Sequence, residues 1–351
     1  MTTPPFSTPG LIVDLDVFEA NLAAMADLLR GTGKTVRPHV KTHRTPELAK
    51  RQLGEGAAGV TCATVGEAEA MVAAGIDDVL IANEIVDPAK LGRIAGLARI
   101  AKVAVAADDP APVEALARAA THAGASVGVL IDVDTLLHRC GVASVAEAVR
   151  LAETIQASPG LRLAGIMGYE GRVRLGTERR QERIAGAYST LAAVKDAVVS
   201  AGFPVDAVSA AGTSTIREAI ADPTITELQA GVYALMEPEL LVMDLPFRCA
   251  AVVRGTVISH HDARFVADVG RRVVGVEYGP PVVVGLETES VALSDEHATV
   301  TMAGRPPRIG TTIDFIPGQI RTTFNLHDRV WVSRGGKIVD CWPVSARGSS
   351  Q

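Results

Sequence analysis

The chain is poor in aromatic residues, poor in cysteine and carries no excess of basic charge. Phe, Trp and Tyr together make up 4% of its 351 residues, too few for base-stacking platforms. The formal net charge is −6, so neither nucleic acid nor an anionic membrane surface is an expected partner. Cys62, Cys140, Cys249 and Cys341 stand far apart and form no CxxC pair. They read as reduced thiols of a cytoplasmic protein, not as a disulfide framework. No run approaches ~18 uninterrupted apolar residues. The first residues lack the basic and apolar regions of a signal peptide. What remains, 48% hydrophobic and 21% charged, is an ordinary globular composition, long enough for two domains.

Two textures divide the chain. From about residue 10 to 245, short β-branched runs alternate with Ala-rich stretches of helical period. Strands are expected near 36–40, 59–65, 79–83, 103–107, 127–133, 163–169, 207–211 and 227–233. Helices are expected near 16–30, 45–53, 66–74, 88–98, 110–123, 144–157, 177–201 and briefly after Ser214. This alternation over ~230 residues is α/β and predicts a (β/α)8 TIM-type barrel over an open doubly wound sheet. Residues 246–351 break into short alternating segments separated by Gly, Pro and Asp, with no long helical pattern. They predict a C-terminal all-β domain. The N-terminal segment, residues 1–9 and the strand after them, either joins that domain or primes the barrel. The last residues, Gly348-Ser349-Ser350-Gln351, read as a mobile tail.

Barrel chemistry sits at the C-terminal ends of strands. The first such end carries Lys41 and His43, in Arg37-Pro38-His39-Val40-Lys41-Thr42-His43. An amine there is either a solvated charge or a Schiff-base former, for which pyridoxal phosphate is the common aldehyde. Other ends carry Asn83-Glu84, Asp132-Val133-Asp134 and Tyr169-Glu170-Gly171-Arg172. The seventh runs into Ala211-Gly212-Thr213-Ser214-Thr215, whose small residues let a backbone approach a phosphate. In isolation this is also an ordinary capped strand–helix turn. Gly231 and Tyr233 could complete a phosphate cradle from the next strand, the usual phosphate position in barrels. Arg139 suits a phenolic oxygen or a carboxylate, or simply pairs with the aspartates before it. His43 and Tyr169 are candidate proton-transfer or stacking groups, or satisfied core residues.

Taken together these residues resemble the fold-type III pyridoxal phosphate (PLP) enzymes, the alanine racemase-like barrels, and within them the D-threonine aldolase and D-serine dehydratase branch. The resemblance rests on Arg37-Pro38-His39-Val40-Lys41-Thr42-His43, Asp134 through His138-Arg139-Cys140-Gly141-Val142, Gly168-Tyr169-Glu170-Gly171, Gly212-Thr213 and Leu228-Gln229-Ala230-Gly231-Val232-Tyr233. It extends through Ser294-Asp295-Glu296-His297, Asn325-Leu326-His327-Asp328-Arg329 and Trp342-Pro343-Val344-Ser345-Ala346-Arg347-Gly348. It implies a PLP barrel plus a β-domain, assembled as a homodimer. It implies Lys41 as the Schiff-base lysine, Arg139 as the cofactor-contacting arginine and Tyr169 as the ring-side tyrosine. Gly212, Thr213 and Tyr233 match its phosphate binders.

One departure stands out. The branch carries a His-x-Cys or His-x-Asp pair that holds a divalent metal, and here Gln319 and Arg321 occupy those positions. Glutamine is a poor transition-metal ligand and arginine offers no lone pair. No catalytic metal is therefore expected there. Arg321 either serves as a fixed cation in its place or has turned outward. The expected function is a PLP-dependent lyase, aldolase or dehydratase, acting on a D-β-hydroxy amino acid. The alternative is a metal-independent amino-acid racemase or epimerase. A non-catalytic PLP carrier is the third reading, disfavoured by the large β-domain.

Overall fold

The computed structural model describes residues 6–171, 173 and 176–351. Residues 1–5 of the N-terminal segment, and Arg172 at an expected strand end, lie outside the described residues. Two compact units emerge. One comprises Leu28–Lys41, Ala49–Gly231 and Ser349–Gln351; the other comprises Met1–Asp27, Thr42–Leu48 and Val232–Gly348.

Among the described residues, the first unit holds an eight-stranded parallel sheet. Its order runs Thr35–Val36, Glu227–Leu228, Val208–Ala210, Leu161–Gly168, Val127–Val133, Lys102–Ala107, Asp78–Glu84 and Val60–Cys62. The two end strands are joined by a parallel bridge between His39 and Thr61, which closes the sheet on itself. This is the α/β barrel expected from the alternation. Leu80, Ala106, Leu130 and Met167, one from each of four consecutive strands, fill its interior beside Ala82, Ala104 and Ala164. The strand Val127–Val133 is buried along its whole length, as a parallel strand covered on both faces must be. Several helices between strands start on side-chain caps. Thr64, the N-cap of Val65–Ala73, accepts from Glu67 N at 3.1 Å, and Glu67 Oε2 reaches back to accept from Ala63 N, the residue before the cap, at 2.7 Å. Asp87 and Asp109 cap the next two helices, each followed by Pro at the first helical position.

The first strand is shorter than the apolar run suggested. Its ladder covers only Thr35–Val36, and Lys41 lies beyond it in a 3-10 turn, Val40–Thr42. Pro38 has no N–H to give a ladder, though its carbonyl accepts from Thr61 N at 2.9 Å. Tyr233 likewise sits past its strand, in the turn Val232–Ala234.

The second unit is built on a mixed sheet. Its order is Thr288–Leu293, Ala298–Met302, Arg264–Ala267, Ala251–His261, Gly10–Asp14, Arg329–Arg334 and Lys337–Pro343, with Thr312–Ile316 also on Ala251–His261 and Val282–Val283 beyond it. Gly10–Asp14 pairs antiparallel with Ala251–His261 and parallel with Arg329–Arg334. The N-terminal strand thus belongs to this sheet. A strand at Thr288–Leu293 and a seven-residue helix, Ile320–Leu326, were not expected from the pattern. The helix carries Arg321. The C-terminal residues expected to be a mobile tail are seated instead: Thr64 Oγ1 donates to Ser349 O at 2.6 Å and Gly66 N to Gln351 O at 2.8 Å. Among the described residues no helix is long and apolar enough to cross a membrane.

Candidate active site

At the C-terminal end of the barrel strands, polar groups gather from several elements. Lys41 is half-buried in its turn after the first strand. Three acids come from consecutive strands: Glu84 closes Asp78–Glu84, Asp108 follows Lys102–Ala107, and Asp132 lies within Val127–Val133. Asp132 is buried. Loss of water, then the neighbouring Glu84 and Asp108, push its carboxyl up to about 8. Asp132 therefore keeps its proton near neutral pH, hydrogen-bonded to Glu84. Burial and Glu84 also raise the Cys140 thiol to about 11, which keeps it protonated and a weak nucleophile. Asp108 Oδ2 accepts from Gly141 N at 2.8 Å. Gly141 adopts φ +104°, and a Cβ there would lie 2.3 Å from Asp134 N, so only glycine fits. Beside it, Arg139 is exposed, and its charge partly offsets the acids on Asp132 and Cys140.

The turn at 211–215 bends at Ala211, φ +70°, and continues as the 3-10 helix Thr213–Thr215. Gly212 lies under the Tyr169 ring: a Cβ would stand 3.2 Å from Tyr169 Cε2 and 3.4 Å from its hydroxyl. Thr213 is buried. Arg180 Nη2 donates to Ser214 O at 2.7 Å, pinning the far side of the turn. Gly231 is buried at the end of the eighth-strand segment. The barrel thus brings Lys41, Arg139, Tyr169, Gly212, Thr213 and Gly231 onto the C-terminal ends of one sheet.

The remaining candidates belong to the second unit. Tyr233 is buried, its ring 5.5 Å from Phe247. His43 is fully buried. Its Nδ1 accepts from Thr45 N at 3.1 Å, and its ring meets Phe324 edge-on. The neutral ring therefore carries its proton on Nε2. Arg44, three residues past Lys41 in the chain, donates to Arg321 O at 3.1 Å. Arg321 Nη2 donates to Tyr278 Oη at 2.7 Å and stands 4.0 Å from the buried Glu237. Glu237 Oε1 accepts from Ile320 N at 3.1 Å. Gln319 is the N-cap of Ile320–Leu326, its Oε1 accepting from Thr322 N at 3.3 Å. These two side chains do not fit a divalent cation. One oxygen is committed to a helix cap, and the other group is itself a cation. Among the described residues, no cluster of three His, Cys, Asp or Glu side chains is arranged to hold a metal.

Sequence reasoning noted Glu84 and Asp132 only as polar strand ends and missed their pairing; it missed Asp108, Glu237 and Tyr278 altogether. The position of Asp108 just past a strand was the available signal for it. Glu237 and Tyr278 are distant in sequence from Arg321 and carried none.

Residues 13–237 match the model of the alanine racemase N-terminal domain, and residues 250–333 match that of a serine dehydratase-type domain. The chain is 37% identical over 360 residues to a D-threonine aldolase of Arthrobacter sp, covering 98% of this chain and 93% of that protein. It is 32% identical to a 3-hydroxy-D-aspartate aldolase of Paracoccus denitrificans (strain Pd 1222), covering 99% and 94%. The crystal structure of D-threonine aldolase from Filomicrobium marinum superposes with a TM-score of 0.94 at 35% identity, over 98% of this chain and 97% of that one.

Proposed function

Because the chain belongs to the family of the alanine racemase N-terminal domain, continued by a serine dehydratase-type domain, we propose that it is a PLP-dependent lyase acting on D-β-hydroxy amino acids. The observation that carries this reading is the similarity to two aldolases across essentially the whole chain. PLP is the cofactor expected for these families. The barrel residues suit it: an amine past a strand end, a glycine packed closely under the Tyr169 ring, and buried acids at the mouth.

Lys41 would hold the cofactor through Nζ. Tyr169 would lie against its ring side, Arg139 would meet its phenolic oxygen, and Gly212, Thr213, Gly231 and Tyr233 would take its phosphate. When bound, the cofactor supplies an electron sink for cleavage of a bond to the substrate Cα. The chain's own residues then bind, orient and move protons. Lys41 Nζ would also be the group to take or return a proton at the substrate Cα. His43 can exchange a proton only through Nε2, because Nδ1 is held by Thr45. Asp132 keeps its proton near neutral pH beside Glu84 and so limits negative charge at the mouth.

The finer reading is that catalysis proceeds without a divalent metal at positions 319 and 321. Arg321, fixed by Tyr278 and backed by Glu237, would supply a permanent cation for the substrate's hydroxyl or a second carboxylate. Assembly as a homodimer in the cytoplasm belongs to the same reading. The test is a screen of D- and L-β-hydroxy amino acids with and without chelator, reading aldehyde, oxo acid and enantiomer together. Aldehyde plus glycine marks an aldolase, and oxo acid plus ammonia marks a dehydratase. Inversion at Cα without cleavage would instead establish the racemase, which the non-metal pair at 319 and 321 also suits. Chelator-resistant turnover is expected. Unchanged turnover in R321A would remove Arg321 from the reaction.

A further inference from the structure

Behind the 211–215 turn lies a buried polar layer that none of the steps above uses. Glu170 follows Tyr169 directly and is 2% exposed. Its Oε1 accepts from Thr215 Oγ1, and the backbone N–H groups of Ala211 and Gly212 bear on the same carboxyl. Thr215 Oγ1 in turn accepts from Gly212 N at 3.1 Å. The carboxyl is thus clipped to the turn at three of its residues. Its second oxygen, Oε2, is buried with no hydrogen-bond partner.

Across this layer stands Tyr188, on the helix Arg180–Ser200, also 2% exposed, its buried hydroxyl facing Thr215 and Glu170. The other ionisable groups facing the layer are Arg180, Glu218 and, toward Tyr188, Asp222. Arg180 and Glu218 pair with each other, and Arg180 also donates to Ser214 O. Burial favours the neutral form of Glu170. A carboxylate here would repel any anion bound on the outer side of the same turn. A proton on Oε2 removes that repulsion and turns the orphaned acceptor into a neutral hydroxyl, a far smaller burial cost than an unpartnered charge.

We propose that Glu170 is a positioning residue for the 211–215 turn and that it holds a proton when a phosphate group is bound there, so that phosphate binding and proton uptake are coupled. The proposal rests on the reading of that turn as the cofactor's phosphate site. Coupling is reciprocal. Affinity falls as pH rises through the carboxyl's pKa in the loaded protein, by at most about tenfold per pH unit for one proton.

The test compares wild type with E170Q. The neutral amide mimics the protonated acid, so E170Q should release PLP with a flatter pH dependence from pH 6 to 9, while wild type weakens steeply. Parallel profiles would overturn the proposal. Lys41 is the same in both proteins, so its contribution cancels in the comparison. A second measurement needs no variant. Calorimetry of PLP and of pyridoxal binding to wild type at pH 8, in buffers of different ionisation enthalpy, should show extra proton uptake only when the phosphate is present. The 31P resonance of the holoenzyme should meanwhile remain that of a dianion. No extra uptake, or a monoanionic phosphate, would sink the idea. If PLP does not load at all, the cofactor reading fails. If it loads without proton linkage, only the role of Glu170 fails.

Discussion

At the N-terminal end of the barrel strands, Arg37 reaches Asp78 at 2.6 Å and Glu227 at 2.8 Å. Lys102 adds a second contact to Asp78 at 2.7 Å, and Ser209 donates to Glu227 at 2.7 Å. Each carboxylate there meets a cation. At the C-terminal end, Glu84 and Asp132 face each other, and Oε1 of Glu84 and Oε2 of Glu170 are buried without partners. Both ends belong to the same strands and are built from the same residue types. The difference is one of satisfaction. A closed ion network fixes one mouth, whereas the other keeps unpaired acids, positive-φ turns and a half-buried amine. Unsatisfied groups cost stability and persist where chemistry uses them.

Several substitutions would break or sharpen this contrast. The largest effect is expected from K41A, which should cost ~10³-fold or more in turnover while leaving the thermal midpoint nearly unchanged. Borohydride reduction of the wild-type holoenzyme should tag the peptide containing Lys41, and a tag elsewhere would refute the assignment. At the opposite mouth the expectation reverses. R37A leaves the buried Glu227 without its cation and Asp78 with Lys102 alone, and should cost about 3 kcal/mol of stability, read as a midpoint lower by several degrees, with kcat of the folded protein little changed. A large fall in kcat at full stability would erase the distinction between the ends.

The third experiment concerns pH. Asp132 has a folded-state pKa of about 8, above its ordinary value of 3.8. Its contribution to stability is complete below about pH 4 and is lost as pH rises toward 8, because the folded state holds a proton that the unfolded state has released. In wild type this adds a downward slope of up to about 1.4 kcal/mol per pH unit across that window. Denaturant melts of D132N should show that slope flattened, and an unchanged slope would place the proton elsewhere. The smallest effect is expected at a satisfied device near the active mouth. T64A removes the helix cap on Glu67 N and should cost about 1 kcal/mol without touching the pH profile.

Much of the barrel was legible because a buried parallel strand must be apolar on both faces and its helices must be capped. Val127–Val133 and the Pro-initiated helices at Pro88 and Pro110 were plain for that reason. The β-domain was less so. Ile320–Leu326 is too short and too rich in Thr to show a helical period, and its N-cap is a Gln, a residue that does not mark helix starts. The strand expected to run up to Lys41 gives way after an isolated bridge at His39 to a 3-10 turn, Val40–Thr42, with Pro38 offering no N–H to the ladder.

Lys41, Tyr169, Gly212 and Thr213 could be named from local sequence, because the chemistry of an amine, a ring and a glycine turn is a property of the residues and their order. The sequence likewise determined the eightfold alternation, through the period of its apolar positions. Only the tertiary structure decided that Glu84 meets Asp132, that Glu170 braces the 211–215 turn, and that Arg321 is held by Tyr278 and Glu237. Those partners lie tens of residues apart in the chain, and the proton affinity of a carboxyl depends on the water and charge around it, which no linear spacing encodes.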